Sequence, residues 1–210
     1  MNTPTNSGTD GGASGGAVGE RDGERGVAVV TVHSQRCDRP MLHRGVGTVL
    51  EGGLILTAGH VVDGDLRRLE VDGAAARVVG LDPRLDLAVL RVVGSDSVAT
   101  DDPRLRTEAL EPGPVTVVTP ERTLPTQLLR SITLRVDDVT ERSTHERPAI
   151  ELGLGVEGGH SGAPVLDRDG AIVGVVILTH PRQPVSYAVR LPSSTLEMPP
   201  PDGRSGCVHE

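Results

Sequence analysis

From Gly26 onward the chain is a succession of short apolar runs, each too short for a stable helix and each closed by turn-forming residues. Val27–Val32, Val46–Leu50, Leu54–Thr57, Leu69–Val71, Ala75–Leu81 and Leu87–Val92 form a first set. A stretch rich in Asp, Pro and Ser follows, over residues 94–114. Val115–Val118, Leu128–Val136, Ala149–Leu152, Ala163–Leu166, Ala171–Leu178 and Val185–Val189 form a second set. Six strands on each side of a polar divide predict an all-β chain of two antiparallel six-stranded β-barrels. The predicted units are an N-terminal barrel over 27–93, a linker over 94–114 and a C-terminal barrel over 115–191. With no Phe or Trp and a single Tyr, Tyr187, the interior must be filled by Val, Leu, Ile and Ala. Branched aliphatic side chains suit strands.

The ends read differently. Residues 1–26 are mostly Gly, Ser, Thr and charged residues, with too little apolar surface to offset the entropy of ordering, and are expected to be a disordered tail. They lack the basic start and apolar stretch of a signal peptide, and no apolar run is long enough to span a bilayer. A cytoplasmic location and no membrane partner are therefore expected. Residues 192–210 form a polar tail containing Pro199-Pro200-Pro201, which cannot donate to a helix or sheet. The net charge is −8, and every basic residue is Arg without clustering, so nucleic acid is not an expected partner. Cys37 and Cys207 lie near opposite ends and are expected to be free thiols. His33, Cys37 and His43 are zinc-ligand types, but their irregular spacing and missing fourth ligand argue against a metal site. No cofactor is implied.

The chemistry centres on Gly158-Gly159-His160-Ser161-Gly162-Ala163-Pro164. Glycines beside a serine let backbone N–H groups converge on one small space, making Ser161 a candidate nucleophile with the amides of Gly159 and Ser161 as an oxyanion hole. On this stretch alone, a turn joining two strands is an equal reading. A serine hydroxyl needs a base, and the base an orienting carboxylate. Leu54-Ile55-Leu56-Thr57-Ala58-Gly59-His60-Val61-Val62 places His60 at the end of a strand. Asp82-Pro83-Arg84-Leu85-Asp86-Leu87-Ala88-Val89-Leu90 places Asp86 at the mouth of another. An α/β-hydrolase would run serine, acid, histidine, with a G-x-S-x-G elbow; here Ala163 and Pro164 break that pattern and the order differs.

The segments TAGHVV, DLAVL and GHSGAP resemble the histidine, aspartate and serine boxes of chymotrypsin-like (trypsin-like) serine peptidases, most of all the bacterial HtrA/DegP type. The resemblance covers about residues 27 to 192. It implies a chymotrypsin-like double barrel with the active site in the cleft between barrels, and a serine endopeptidase acting through His60, Asp86 and Ser161. Asp86 is preferred over Asp82 because it directly precedes the strand, where the family has its acid. By the same resemblance Gly155 and Val156 lie at the base of the primary specificity pocket, with Ile177, Leu178, Thr179 and Val185 as its other wall. No carboxylate sits at the base, which points to small or medium aliphatic substrate residues.

Several positions depart from the family pattern. Val61 stands where animal enzymes carry a disulfide cysteine. His160 stands where the family has Asp or Asn, which argues against activation by N-terminal cleavage and raises the question of whether it disturbs the oxyanion hole. His33, His43, His145, His180 and His209 have no motif around them and read as surface or partly buried polar residues; His180 follows the pocket strand, where contact with substrate is the other reading. HtrA relatives carry PDZ domains after the protease, and the tail here is too short for one. The substrate is expected to be a protein or peptide, and the missing module fits an enzyme dedicated to one partner protein. The alternative is a catalytically idle protease-fold binding or scaffolding module.

Overall fold

The computed structural model describes residues 26–95, 103–108, 110–138, 143–201 and 207. The expected N-terminal tail, except Gly26, lies outside them. The first six strands are β1 (Val29–Arg36), β2 (Leu42–Val49), β3 (Leu54–Ala58), β4 (Leu66–Val71), β5 (Ala74–Asp82) and β6 (Leu87–Val92). They close into an antiparallel barrel in the order β1-β2-β3-β6-β5-β4. Strands β7 (Gly113–Val118), β8 (Thr123–Asp138), β9 (Ser143–Leu152), β10 (Pro164–Leu166), β11 (Ile172–Thr179) and β12 (Ser186–Arg190) pair in the closed ring β10-β11-β12-β9-β8-β7. Each apolar run of the sequence lies in or overlaps one of these strands. The β8–β9 hairpin is longer than its apolar residues suggested, because polar positions such as Arg135 and Glu146 continue the ladder beyond the core.

The interior is built as the composition required, from Val, Leu, Ile and Ala, and it does not divide cleanly between the rings. Ile172, Val175, Ile177, Val189 and Leu191 of the second ring belong to the cluster centred on the first barrel. Val46 of β2 packs in the opposite sense, among Val115, Val165 and Ala163 of the second ring. Interlocking side chains of this kind resist sliding, since close-packed interiors have few voids to accommodate a shift. The segment joining the rings is also held. Leu105 bridges Ile172, and Arg106 pairs with Asp167 at 2.7 Å and Asp169 at 3.0 Å.

The C-terminal segment corrects the expectation of free thiols. Proline offers no donor, yet its carbonyl still accepts, and Pro199 takes the N–H of Leu81 at 3.0 Å. Met198 lies against Gly80, where an added Cβ would come within 3.0 Å of it. The chain thus returns from the second ring to β5 of the first. Cys207 then forms a disulfide with Cys37, with Cα atoms 5.5 Å apart, so the thiols are not free. Their proximity is created by the returning tail, which sequence spacing does not encode.

The disulfide joins residues 170 positions apart, and in the chain-entropy account a loop of that size stabilises strongly, by roughly 2–5 kcal/mol. The double variant Cys37→Ser/Cys207→Ser is expected to unfold at a lower urea midpoint and with a steeper slope, because its denatured chain is no longer cross-linked. An unchanged midpoint would mean that the non-covalent contacts of the tail suffice.

Candidate active site

His60 sits in a short 3-10 turn, Gly59–Val61, which ends strand β3. Asp86 immediately precedes β6, the neighbour of β3 in the barrel, so strand pairing brings the two together. Three bonds fix the arrangement. The Gly59 N–H donates to the Asp86 carbonyl at 2.8 Å. The His60 N–H donates to Asp86 Oδ1 at 2.7 Å. His60 Nδ1 lies 2.8 Å from Asp86 Oδ2. Asp86 has a left-handed backbone (φ 59°), a conformation that Asp tolerates better than most residues. Gly59 is small because a Cβ there would lie 3.0 Å from Asp86 Oδ1. A carboxylate accepting at Nδ1 requires the proton on that nitrogen, which leaves Nε2 as the basic atom of a neutral imidazole. Asp82, the competing carboxylate, instead accepts the Leu85 N–H at 3.0 Å and shapes the turn before Asp86.

Ser161 lies on the loop between β9 and β10, and that loop is joined to the first barrel through main-chain atoms. The Val46 N–H donates to the Ser161 carbonyl at 2.7 Å. The Val46 carbonyl accepts from Thr57 Oγ1 at 2.7 Å. Gly162 (φ 92°) passes so close that a Cβ there would come within 1.9 Å of that carbonyl oxygen. Gly45 marks the other contact. A Cβ on it would stand 2.7 Å from Val61 and 2.9 Å from the Ser161 carbonyl oxygen, so the residue after His60 and the serine backbone meet over one glycine.

Within the loop the amides divide. The His160 N–H reaches Glu157 O at 3.3 Å and the Gly162 N–H reaches Val176 O at 2.7 Å. Among the described residues, the N–H groups of Gly159 and Ser161 have no backbone acceptor. Gly159 takes a left-handed conformation (φ 94°) over the Arg44 side chain. His160 is buried and closes the turn from inside, its Nδ1 accepting the Glu157 N–H at 3.3 Å. Burial lowers its pKa, an effect reinforced by Arg122 and Arg44 and opposed by Glu157. The neutral ring is the form that can accept this bond. Glu157 is tied in turn to Arg122 at 2.6 Å, and Arg44 pairs with Glu121.

Of the residues expected to form the specificity pocket, Gly155, Val156 and Thr179 come together. Thr179 Oγ1 donates to Val156 O at 2.9 Å, and a Cβ on Gly155 would lie 4.0 Å from Thr179 Cγ2. Val185 accepts the His180 N–H at 3.0 Å in the turn between β11 and β12. Leu178 is exposed, whereas Ile177 is buried in the shared core. His180 Nδ1 accepts the Arg182 N–H at 3.2 Å within the same turn. Sequence reasoning missed Ser186, wholly buried, whose Oγ accepts the Val156 N–H at 2.9 Å and donates to Leu154 O at 2.8 Å. Pro184, 3.5 Å from a Cβ on Gly155, was missed as well. Neither lies in a recognisable motif.

Residues 45–175, which include His60, Asp86 and Ser161, match the profile of the trypsin-like peptidase domain. The chain belongs to this family. A Marinomonas protein named probable periplasmic serine endoprotease DegP-like is 30% identical over 132 residues, covering 59% of this chain and 27% of that protein. A Brucella suis protein of the same name is 28% identical over 172 residues, covering 75% of this chain and 32% of its own length. The match thus spans about a third or less of these relatives. The fold is that of a crystallised M. tuberculosis protease, Rv3671c in its active form, with a TM-score of 0.71 at 22% identity, covering 88% of this chain and 87% of that one. The expected cytoplasmic location does not stand. These relatives are named as periplasmic, and a disulfide such as Cys37–Cys207 belongs to oxidising compartments.

The buried state of His160 has a defined pH consequence for this trypsin-like domain. Its folded pKa lies below the ordinary histidine value, so its contribution to stability is full above that value and is lost as pH falls toward the lowered one. Urea unfolding at pH 7.5 and 5.5 is expected to show a larger loss of stability in the wild type than in His160→Gln. Equal losses would mean that His160 titrates alike in folded and unfolded chains.

Proposed function

We propose that this chain is a serine endopeptidase that hydrolyses peptide bonds through an acyl-enzyme. Ser161 is the nucleophile, His60 the general base, Asp86 the orienting carboxylate, and the amides of Gly159 and Ser161 the oxyanion hole. The observation that carries this reading is the double grip of Asp86 on the backbone and ring of His60. Ser161 Oγ attacks the scissile carbonyl while His60 Nε2 takes its proton, and Asp86 stabilises the imidazolium that forms. The carbonyl oxygen, now negative, receives the two amides that lack other backbone acceptors. His60 returns the proton to the leaving amine, and water repeats the sequence to release the acid. The groove for the substrate is assigned to the junction of the two rings, in the manner of a double barrel. The disulfide and the periplasmic relatives favour an extracytoplasmic setting.

The specificity pocket is assigned to the space bounded by Gly155, Val156, Thr179 and Pro184, with the Ser186 hydroxyl fixing Val156 and Leu154 beneath it. These small and branched residues carry no charge. A peptide library is expected to show cleavage after small or medium aliphatic residues; dominant cleavage after Arg or Lys would overturn the assignment. Casein distinguishes a general peptidase, which digests it, from an enzyme dedicated to one partner.

The triad is tested with a fluorophosphonate probe, which reports the nucleophile without needing the natural substrate. The wild type is expected to label, and Ser161→Ala and His60→Ala to lose at least about a thousandfold in labelling rate. Labelling retained at the wild-type rate in either variant would remove Ser161 or His60 from these roles.

A further inference from the structure

Strand β9 alternates. Glu146 and Pro148 are exposed, while Arg147 and Ala149 face inward and are buried. A cation on the inner face of a strand is costly unless a carboxylate meets it, because burial strips its hydration. Arg147 is 6% exposed, and among the described residues the carboxylate in ion-pair reach is that of Asp86, with Nη1 3.4 Å from Oδ2. The two residues belong to different rings. Arg147 pairs in register with Leu134 of β8, and Leu134 packs against the core centred on the first barrel, so the hairpin carries the guanidinium across the junction. Oδ2 is also the oxygen that meets His60 Nδ1.

We propose that Arg147 is a positioning residue for the reaction: reaching from the second ring, it holds the Asp86 carboxylate in the orientation that engages His60, so that the base is fully assembled only when the two rings are docked. The proposal rests on the reading of His60 and Asp86 as base and acid. His60 and Asp86 both belong to the first barrel, where Asp86 Oδ1 already accepts the His60 N–H; Oδ2, the oxygen that faces the imidazole ring, takes a further anchor from outside that barrel. Arg147 supplies that anchor from the element that also carries the Ser161 loop. The geometry of the base is thereby linked to the geometry of the nucleophile. Small misplacements of reacting groups have large effects on rate.

Four chains separate this role from a merely structural one: wild type, Arg147→Met, Asp86→Asn, and the double variant. Methionine retains much of the stem volume without the charge. Arg147→Met is expected to lower kcat on a peptide substrate by roughly ten- to a hundredfold with KM little changed, and Arg147→Lys to recover part of the loss. Once Asp86 is Asn, Arg147 has no carboxylate left to position, so removing it as well costs nothing more and the double variant is expected to label with the fluorophosphonate no slower than Asp86→Asn alone. Wild-type kcat in Arg147→Met beside a slow Asp86→Asn would overturn the proposal, as would a double variant slower than Asp86→Asn. Should Arg147→Met leave Asp86 unpaired and fail to fold, the double variant, with both charges removed, decides by the same comparison. Wild-type rates in Asp86→Asn would instead remove the triad reading itself.

Discussion

The hydrogen bond from Val46 to the Ser161 carbonyl joins the two halves of this molecule at the point where their chemistry must meet. Val46 belongs to β2 of the first barrel by its backbone and to the second ring's core by its side chain. Its carbonyl is held by Thr57, at the end of the strand that leads into His60. The serine loop can close on it only because Gly162 has no Cβ. A backbone bond of this kind is less adjustable than a side-chain contact. Displacing Ser161 would therefore require separating the rings, breaking the interlocked core as well as the bond.

Two further ties make the junction rigid on either side. The linker pairs with β11 through Leu105 and with Asp167 and Asp169 through Arg106. The C-terminal segment returns to β5 and is then cross-linked just beyond β1 by the Cys37–Cys207 disulfide. The second ring thus meets the first at the Val46–Ser161 bond and again through the returning C-terminal segment, while the linker is fastened to the second ring. For the proposed triad, whose members come from both rings, this converts a question of tertiary docking into a question of catalytic alignment. His160 contributes to the same end within the serine loop, occupying the interior of the turn that presents Gly159 and Ser161.

The strand pattern and the three boxes were legible because each depends on residues close in sequence. Alternating apolar residues give a strand wherever they occur. His60 and Asp86 stand at the ends of such strands, so their encounter followed once those strands paired. The inward position of Arg147 was not legible, because the strand was read only from Ala149 and no apolar alternation marks the polar residues before it. The thiols were misread because 170 residues separate them. The location inferred from the chain start failed with them, since oxidised cysteines are read from a contact and not from composition.

By itself, the sequence determined the all-β architecture, the six-and-six division, an interior without Phe or Trp, and the family boxes around His60, Asp86 and Ser161. Local propensity and short motifs encode these. Only the tertiary structure decided that the Ser186 hydroxyl ties Val156 to Leu154, that Pro184 lies beside Gly155, that His160 is buried within its turn, that Arg147 faces Asp86, and that the tail is cross-linked to the first barrel. Each of these depends on which distant surfaces meet, which is set by the packing of two rings against each other and leaves no periodic trace in the chain.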